Sequence, residues 1–214
     1  MRPDPCCTER ELITGVDRRL RSLLPSAWSI KSDRPQPDDD LSGAASILRD
    51  AHRGWRSRRG LPPEDGWPCE RYVLLHSFAH ALIRELALEC GYTASSIRER
   101  IYAASGADAK PMAGVLLYTA APDSEGTLGG LVSLGEQEQF GPLLRQALER
   151  AQLCSSDPLC SEHDPRTDNS VHAAACHACQ FASETSCERG NRYLDRASSS
   201  ATLARNDVSY FATP

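Results

Sequence analysis

The stretch that decides the fold runs CSSDPLC at 154–160, ACHAC at 175–179 and TSCERGN at 185–191. Five of the nine cysteines fall between Cys154 and Cys187. The C-x-x-C pair Cys176/Cys179 lets two thiolates converge on one small cation. Four sulfurs held tetrahedrally around zinc would supply the cross-link that the sparse apolar residues of this segment cannot. The reading is a structural Zn²⁺ site. Its candidate ligands are Cys154, Cys160, Cys176, Cys179 and Cys187, five for four places. Cys187 is the sequence neighbour of the C-x-x-C pair and joins it, while Cys154 and Cys160 compete for the fourth place. His163, His172 and His177 could substitute, although His177 lies inside the C-x-x-C loop.

Upstream of this module, Leu75, Phe78, Ala79, Leu82, Ile83, Leu86 and Cys90 recur at helical spacing. They predict a long helix over 72–90, ended by Gly91. A second helix is expected from Ala94, with Ile97, Ile101 and Tyr102 inward. Ala113–Ala120 reads as a buried strand. A turn-rich segment with Gly126, Gly129, Gly130 and Gly135 follows, then a helix over 136–153 and a short one over 191–197. These elements predict an α+β, predominantly helical fold: a small zinc-stabilised domain with a short β-element. Residues 71–197 form that domain. Residues 1–70 are a loosely ordered Pro/Arg-rich extension with short helices around 11–24 and 41–53, and 198–214 is a flexible tail.

Composition narrows the function. Aromatics make up 6% of the chain, so the core must be built mainly from aliphatic side chains. The net charge of −5 argues against tight, sequence-blind binding to nucleic acid by the chain as a whole. Basic residues are 22 Arg against 2 Lys. The cluster Arg49, Arg53, Arg56, Arg58 and Arg59 around Trp55 reads as a solvated basic face rather than a phosphate site. The N-terminus MRPDPCCTER lacks the apolar core of a signal peptide, so the cytoplasm is the expected compartment. There, C-x-x-C favours metal over disulfides.

His76 and His80 stand four apart on one helix face, as in zinc peptidases. The glutamate those enzymes need after the first histidine is absent, so hydrogen-bonded packing is the plainer role. A metal-dependent hydrolase using His76, His80 and Glu85 or Glu89 is the alternative. The Gly-rich segment matches neither phosphate-binding fingerprint, and Cys90, on the apolar stripe, makes a poor nucleophile.

In this order, LHSFAHALIRELALECGYTASSIRERIY (75–102), GVLLYTAAPDSEGTLGGLVSLG (114–135), CSSDPLC, ACHAC and TSCERGNRYLD (185–195) resemble the C-terminal half of DrmB-like proteins. Those are the helicase-associated components of DISARM antiphage systems. The module is also similar to the C-terminal zinc-binding domain of MrfA-type DNA-repair helicases, with Gly129–Gly130, Cys176/Cys179 and Cys187 through Asn191 at the comparable places. The resemblance covers roughly 72–197. It implies a zinc-stabilised, non-enzymatic accessory domain working beside a superfamily 2 helicase (DrmA-like), with four cysteines on the metal and DNA as a possible partner. Arg84, Arg98, Arg100, Arg189 and Arg192 are the candidate phosphate contacts. DrmB-like proteins are much longer, the helicases carry two motor domains upstream, and residues 1–70 lie outside the resemblance.

Overall fold

In the computed structural model the described residues are 37–91, 93–103, 113–119, 131, 134–135, 137–206 and 208–211, with side chains from Ala45 onward. Among them are helices α1 (Pro37–Ser57), α2 (Glu70–Cys90) and α3 (Gln137–Ala151), and strands β1 (Ile97–Tyr102) and β2 (Gly114–Thr119). The fold is α+β, as the sequence predicts. The expected helix at 11–24 and the Gly-rich turn at 123–130 lie outside the described residues.

Helix α2 is the axis of the molecule. Its residues from Glu70 to Ile83 are all buried, because it is enclosed on several sides rather than laid on one. One side meets α3 through Phe78, Leu82, Ile83 and Leu86 against Leu143, Leu144, Ala147 and Leu148. Another carries Val73 against Leu48 of α1, together with Val171 and Tyr193. A third packs Tyr72, Leu75 and Ala79 against Ile101 of β1. Glu70 opens the helix, favourable at the positive end of the helix dipole, and takes an ion pair from Arg49. Gly91 closes it at φ 68°, the left-handed conformation that glycine adopts without a side-chain clash.

The sequence reading errs at four places. Strand β2, expected to be buried, exposes Leu116 and Tyr118. Residues 97–102 form a strand instead of a helix, paired antiparallel with β2 from Ile97↔Thr119 to Tyr102↔Gly114. Ile97, Glu99 and Ile101 are buried while Arg98, Arg100 and Tyr102 are exposed, the alternation a strand imposes. Residues 191–197 give only a single turn of 3-10 helix at Arg196–Ser198, since Asn191 and Tyr193 take φ of 58° and 63°, outside helical space. The expected frayed tail is packed in its described part. Ser198, Ser199 and Ser200 are buried, and their hydroxyls donate to the carbonyls of Asp195, Arg196 and Leu148. Phe211 is buried with its ring 5.4 Å from that of Phe78.

The basic cluster of α1 is engaged in local contacts. Arg53 pairs with Glu64, Arg56 donates to the Pro62 carbonyl, Arg58 donates to Asn169, and Arg59 lies over the Trp55 ring.

Candidate metal centre

The last turn of α3 delivers the chain to Cys154, and the 154–160 loop then folds around one carboxylate. Asp157 accepts the amides of Cys154 at 2.9 Å and Ser161 at 3.1 Å. Arg196, wholly buried, reaches the same carboxylate at 2.5 Å and donates to the Ala151 and Gln152 carbonyls at the end of α3. One guanidinium therefore ties the helix end, the first cysteine loop and the C-terminal segment together. The second loop is a tight turn in which the amides of Cys179, Gln180 and Phe181 all point at the Cys176 carbonyl. Arg84 of α2 caps it with a bond to the Ala178 carbonyl at 2.8 Å.

These two loops bring four sulfurs together. Cys154 Sγ lies 3.5 Å from Cys176 Sγ, Cys160 Sγ 3.6 Å from Cys179 Sγ, and Cys176 Sγ 3.8 Å from Cys179 Sγ. None of the described cysteines is in a disulfide. Zinc–sulfur bonds of about 2.3 Å in a tetrahedron place sulfurs about 3.8 Å apart, so the set fits zinc. Zinc bound there would cross-link the two loops. Without it the thiols hold protons unevenly. The Cys179 thiol and burial push Cys160 up. Burial also raises Cys176, but the Ala178 amide and neighbouring thiols outweigh it and bring Cys176 down to about 7.

Cys187 stands elsewhere. It lies with His76, His80 and Glu99, a second group whose potential ligand atoms all fall within 4.8 Å of one another. His76 Nε2 is 3.1 Å from Cys187 Sγ and 2.9 Å from Glu99 Oε1, and His80 Nε2 is 3.3 Å from the same oxygen. All four residues are buried, with exposures of 0%, 1%, 3% and 6% for His76, His80, Glu99 and Cys187. Burial alone would raise Cys187, but the two imidazoles hold it at about 6. They likewise hold Glu99 at about 2 against the effect of burial.

The other candidate histidines join neither group. His163 contacts Ser170 and Asp168 and stacks on His172, and His177 rests on Phe181. Burial raises the Cys90 thiol, the opposite of an activated nucleophile. Glu99, Asp157 and Arg196 are the site residues that sequence reasoning missed. The one available signal was the alternation of IRERIY, which turns Glu99 inward with Ile97 and Ile101.

The candidate phosphate contacts divide. Arg98 and Arg100 project from the outer face of β1, and Arg100 is 3.7 Å from Glu188. Arg189 lies over Tyr72, and Arg192 donates to the Arg189 carbonyl. Arg84 belongs instead to the four-thiol neighbourhood.

Residues 78–180 match the MrfA Zn-binding domain family model. That span contains Cys154, Cys160, Cys176 and Cys179 and stops short of Cys187. Over 126 residues, 59% of this chain, the sequence is 52% identical to the DISARM protein DrmB of Bacillus paralicheniformis. The matched part spans 22% of that protein's length. No helix among the described residues is long and apolar enough to cross a membrane.

Proposed function

We propose that this chain is a non-enzymatic, zinc-held accessory module of a DISARM-like antiphage or DNA-repair assembly, docking on a superfamily 2 helicase and, beside it, on DNA. The observation that carries the reading is the tetrahedral spacing of four sulfurs inside the span that matches a zinc-binding family. The similarity to DrmB supplies the defence context. The hydrolase alternative is disfavoured by enclosure. His76 and His80 are sealed from solvent, and Glu85 is buried and turned to Arg150 at 3.3 Å, so no open coordination position faces a substrate.

The surface best suited to contact is the outer face of the two-stranded sheet. The register sets Arg98 opposite Tyr118 and Arg100 opposite Leu116, and Tyr102, Leu116 and Tyr118 are exposed. Guanidinium groups beside aromatic faces suit a nucleic-acid strand, with phosphate contact from the cations and stacking on the rings. The net charge of −5 makes such contact weak unless a partner adds to it.

The test is fluorescence anisotropy on labelled single-stranded and duplex DNA at two salt concentrations, with and without a superfamily 2 helicase. Arg98→Glu with Arg100→Glu should weaken binding across all sequences and flatten its salt dependence. Unchanged binding to both DNA and helicase in that variant contradicts the surface assignment. No binding to either by the unmutated chain would leave a purely structural zinc domain.

A further inference from the structure

The geometry points to a second zinc site, formed by His76, His80, Glu99 and Cys187 and separate from the four-thiol centre. The four residues come from three parts of the chain. His76 and His80 share one face of α2 because they stand four apart. Glu99 is the inward position of β1 between Ile97 and Ile101. Cys187 arrives on the loop that the amide of Glu99 pins by donating to the Ser186 carbonyl at 3.2 Å.

The tautomers decide what this cluster is for. His80 Nδ1 lies 2.7 Å from the Gln180 carbonyl, and His76 Nδ1 lies 3.4 Å from the Tyr193 carbonyl. A carbonyl oxygen only accepts, so both Nδ1 atoms carry the proton. With both rings neutral, each turns an Nε2 lone pair inward, onto Glu99 Oε1 and Cys187 Sγ, which also present lone pairs. Four electron-pair donors converging on one buried point repel one another unless a cation stands between them. Two neutral imidazoles, a carboxylate and a thiolate carry a charge of −2, which one divalent ion neutralises. Without an ion the cluster must instead take up protons, either on Nε2, which places imidazolium rings beside anions in a dry interior, or on the Cys187 thiol and the Glu99 carboxyl.

The outer contacts are those of a metal site. Ring N–H groups held by carbonyls orient ligand histidines and raise their basicity. The Asn191 amide donates to Cys187 Sγ at 3.1 Å. Asn191 is itself locked by two side-chain bonds to the backbone of Ala182. Glu99 Oε2 has no hydrogen-bond partner among the described residues, a costly state for a buried carboxylate oxygen. Two imidazoles, a thiolate and a carboxylate are a borderline-soft set that suits zinc over calcium or magnesium. Bonds of about 2.0–2.3 Å give tetrahedral edges of about 3.3–3.7 Å, so the pairs at 2.9–3.3 Å need open by only a few tenths of an ångström. Because all four donors are enclosed, the ion is structural, staking α2, β1 and the Cys187 loop to one point. Gln180, which receives His80, directly follows Cys179, so the two centres adjoin.

Metal content of the purified 214-residue chain, stripped by chelator and reloaded with Zn²⁺ alone, tests this. Two zinc ions per chain are expected. Glu99→Gln, which keeps the side-chain shape, and His80→Gln should each retain one, as should Cys176→Ser with Cys179→Ser. Zinc-edge X-ray absorption of the unmutated chain needs no variant to fold and should show nitrogen and oxygen neighbours alongside sulfur. One zinc per chain with an all-sulfur shell, unaffected by Glu99→Gln, overturns the second site and leaves the four-thiol centre standing. One zinc in a mixed shell that survives loss of Cys176 and Cys179 supports the second site and removes the first.

Discussion

Arg196 shows how much one side chain can organise. It is wholly buried, donates to two carbonyls at the end of α3 and faces Asp157 at 2.5 Å, while Asp157 in turn holds the amides of Cys154 and Ser161. Removing one partner of a buried pair strands the other, which costs about 3–5 kcal/mol. Arg196→Met should lower stability by that amount in urea denaturation and weaken zinc retention, because the loop bearing Cys154 and Cys160 loses its frame. Arg166→Met removes an exposed pair with Asp164 and should leave the unfolding midpoint essentially where it was. The same scale shows where a sequence misleads about ligands. Cys187 lies close to Cys179 along the chain, which makes it a natural partner for the C-x-x-C pair. In space it meets His76 and His80, which read as packing residues because no glutamate follows His76. Their carboxylate, Glu99, comes from another element, a relation that one-dimensional spacing does not reveal.

At the scale of elements, long periodic segments were legible and short ambiguous ones were not. The apolar stripe of α2 and its Gly91 end follow from side-chain period, and the strand at 114–119 from its short apolar run. Ile97 and Ile101, four apart, satisfy a helix and a strand equally. The inward Glu99 disguises the strand by looking like a solvent-facing charge. The C-terminal segment is disguised in the same way. SSSATLARNDVSYF reads as polar and loose, yet its serine hydroxyls answer backbone carbonyls and Phe211 enters the core that α2 and α3 share. Phe211→Ala should therefore destabilise the protein by about 3–5 kcal/mol, the cost of deleting a buried aromatic ring. A loss below about 0.5 kcal/mol in chemical denaturation would restore the frayed-tail reading.

Across the whole molecule, the apolar core is organised around α2, whereas the 154–191 module is held largely by hydrogen bonds, buried ion pairs and sulfur. Val171 and Ala173, with Tyr193 just beyond it, are its main apolar anchors on the α1–α2 side. In the proposed reading zinc supplies the rigidity of that module, and the sheet face bearing Arg98 and Arg100 is attached to it through the Cys187 loop. Structural zinc contributes about 10–16 kcal/mol to folding of small modules. A domain of this size moves by about 2–4 °C in melting temperature per kcal/mol. The most direct measurement is a thermal melt of the full chain followed by circular dichroism, before and after treatment with a strong zinc chelator. The account predicts a fall in the midpoint of about 20 °C or more, reversed by adding Zn²⁺. A melting curve unchanged by chelation, in a chain confirmed to have been stripped, would contradict it.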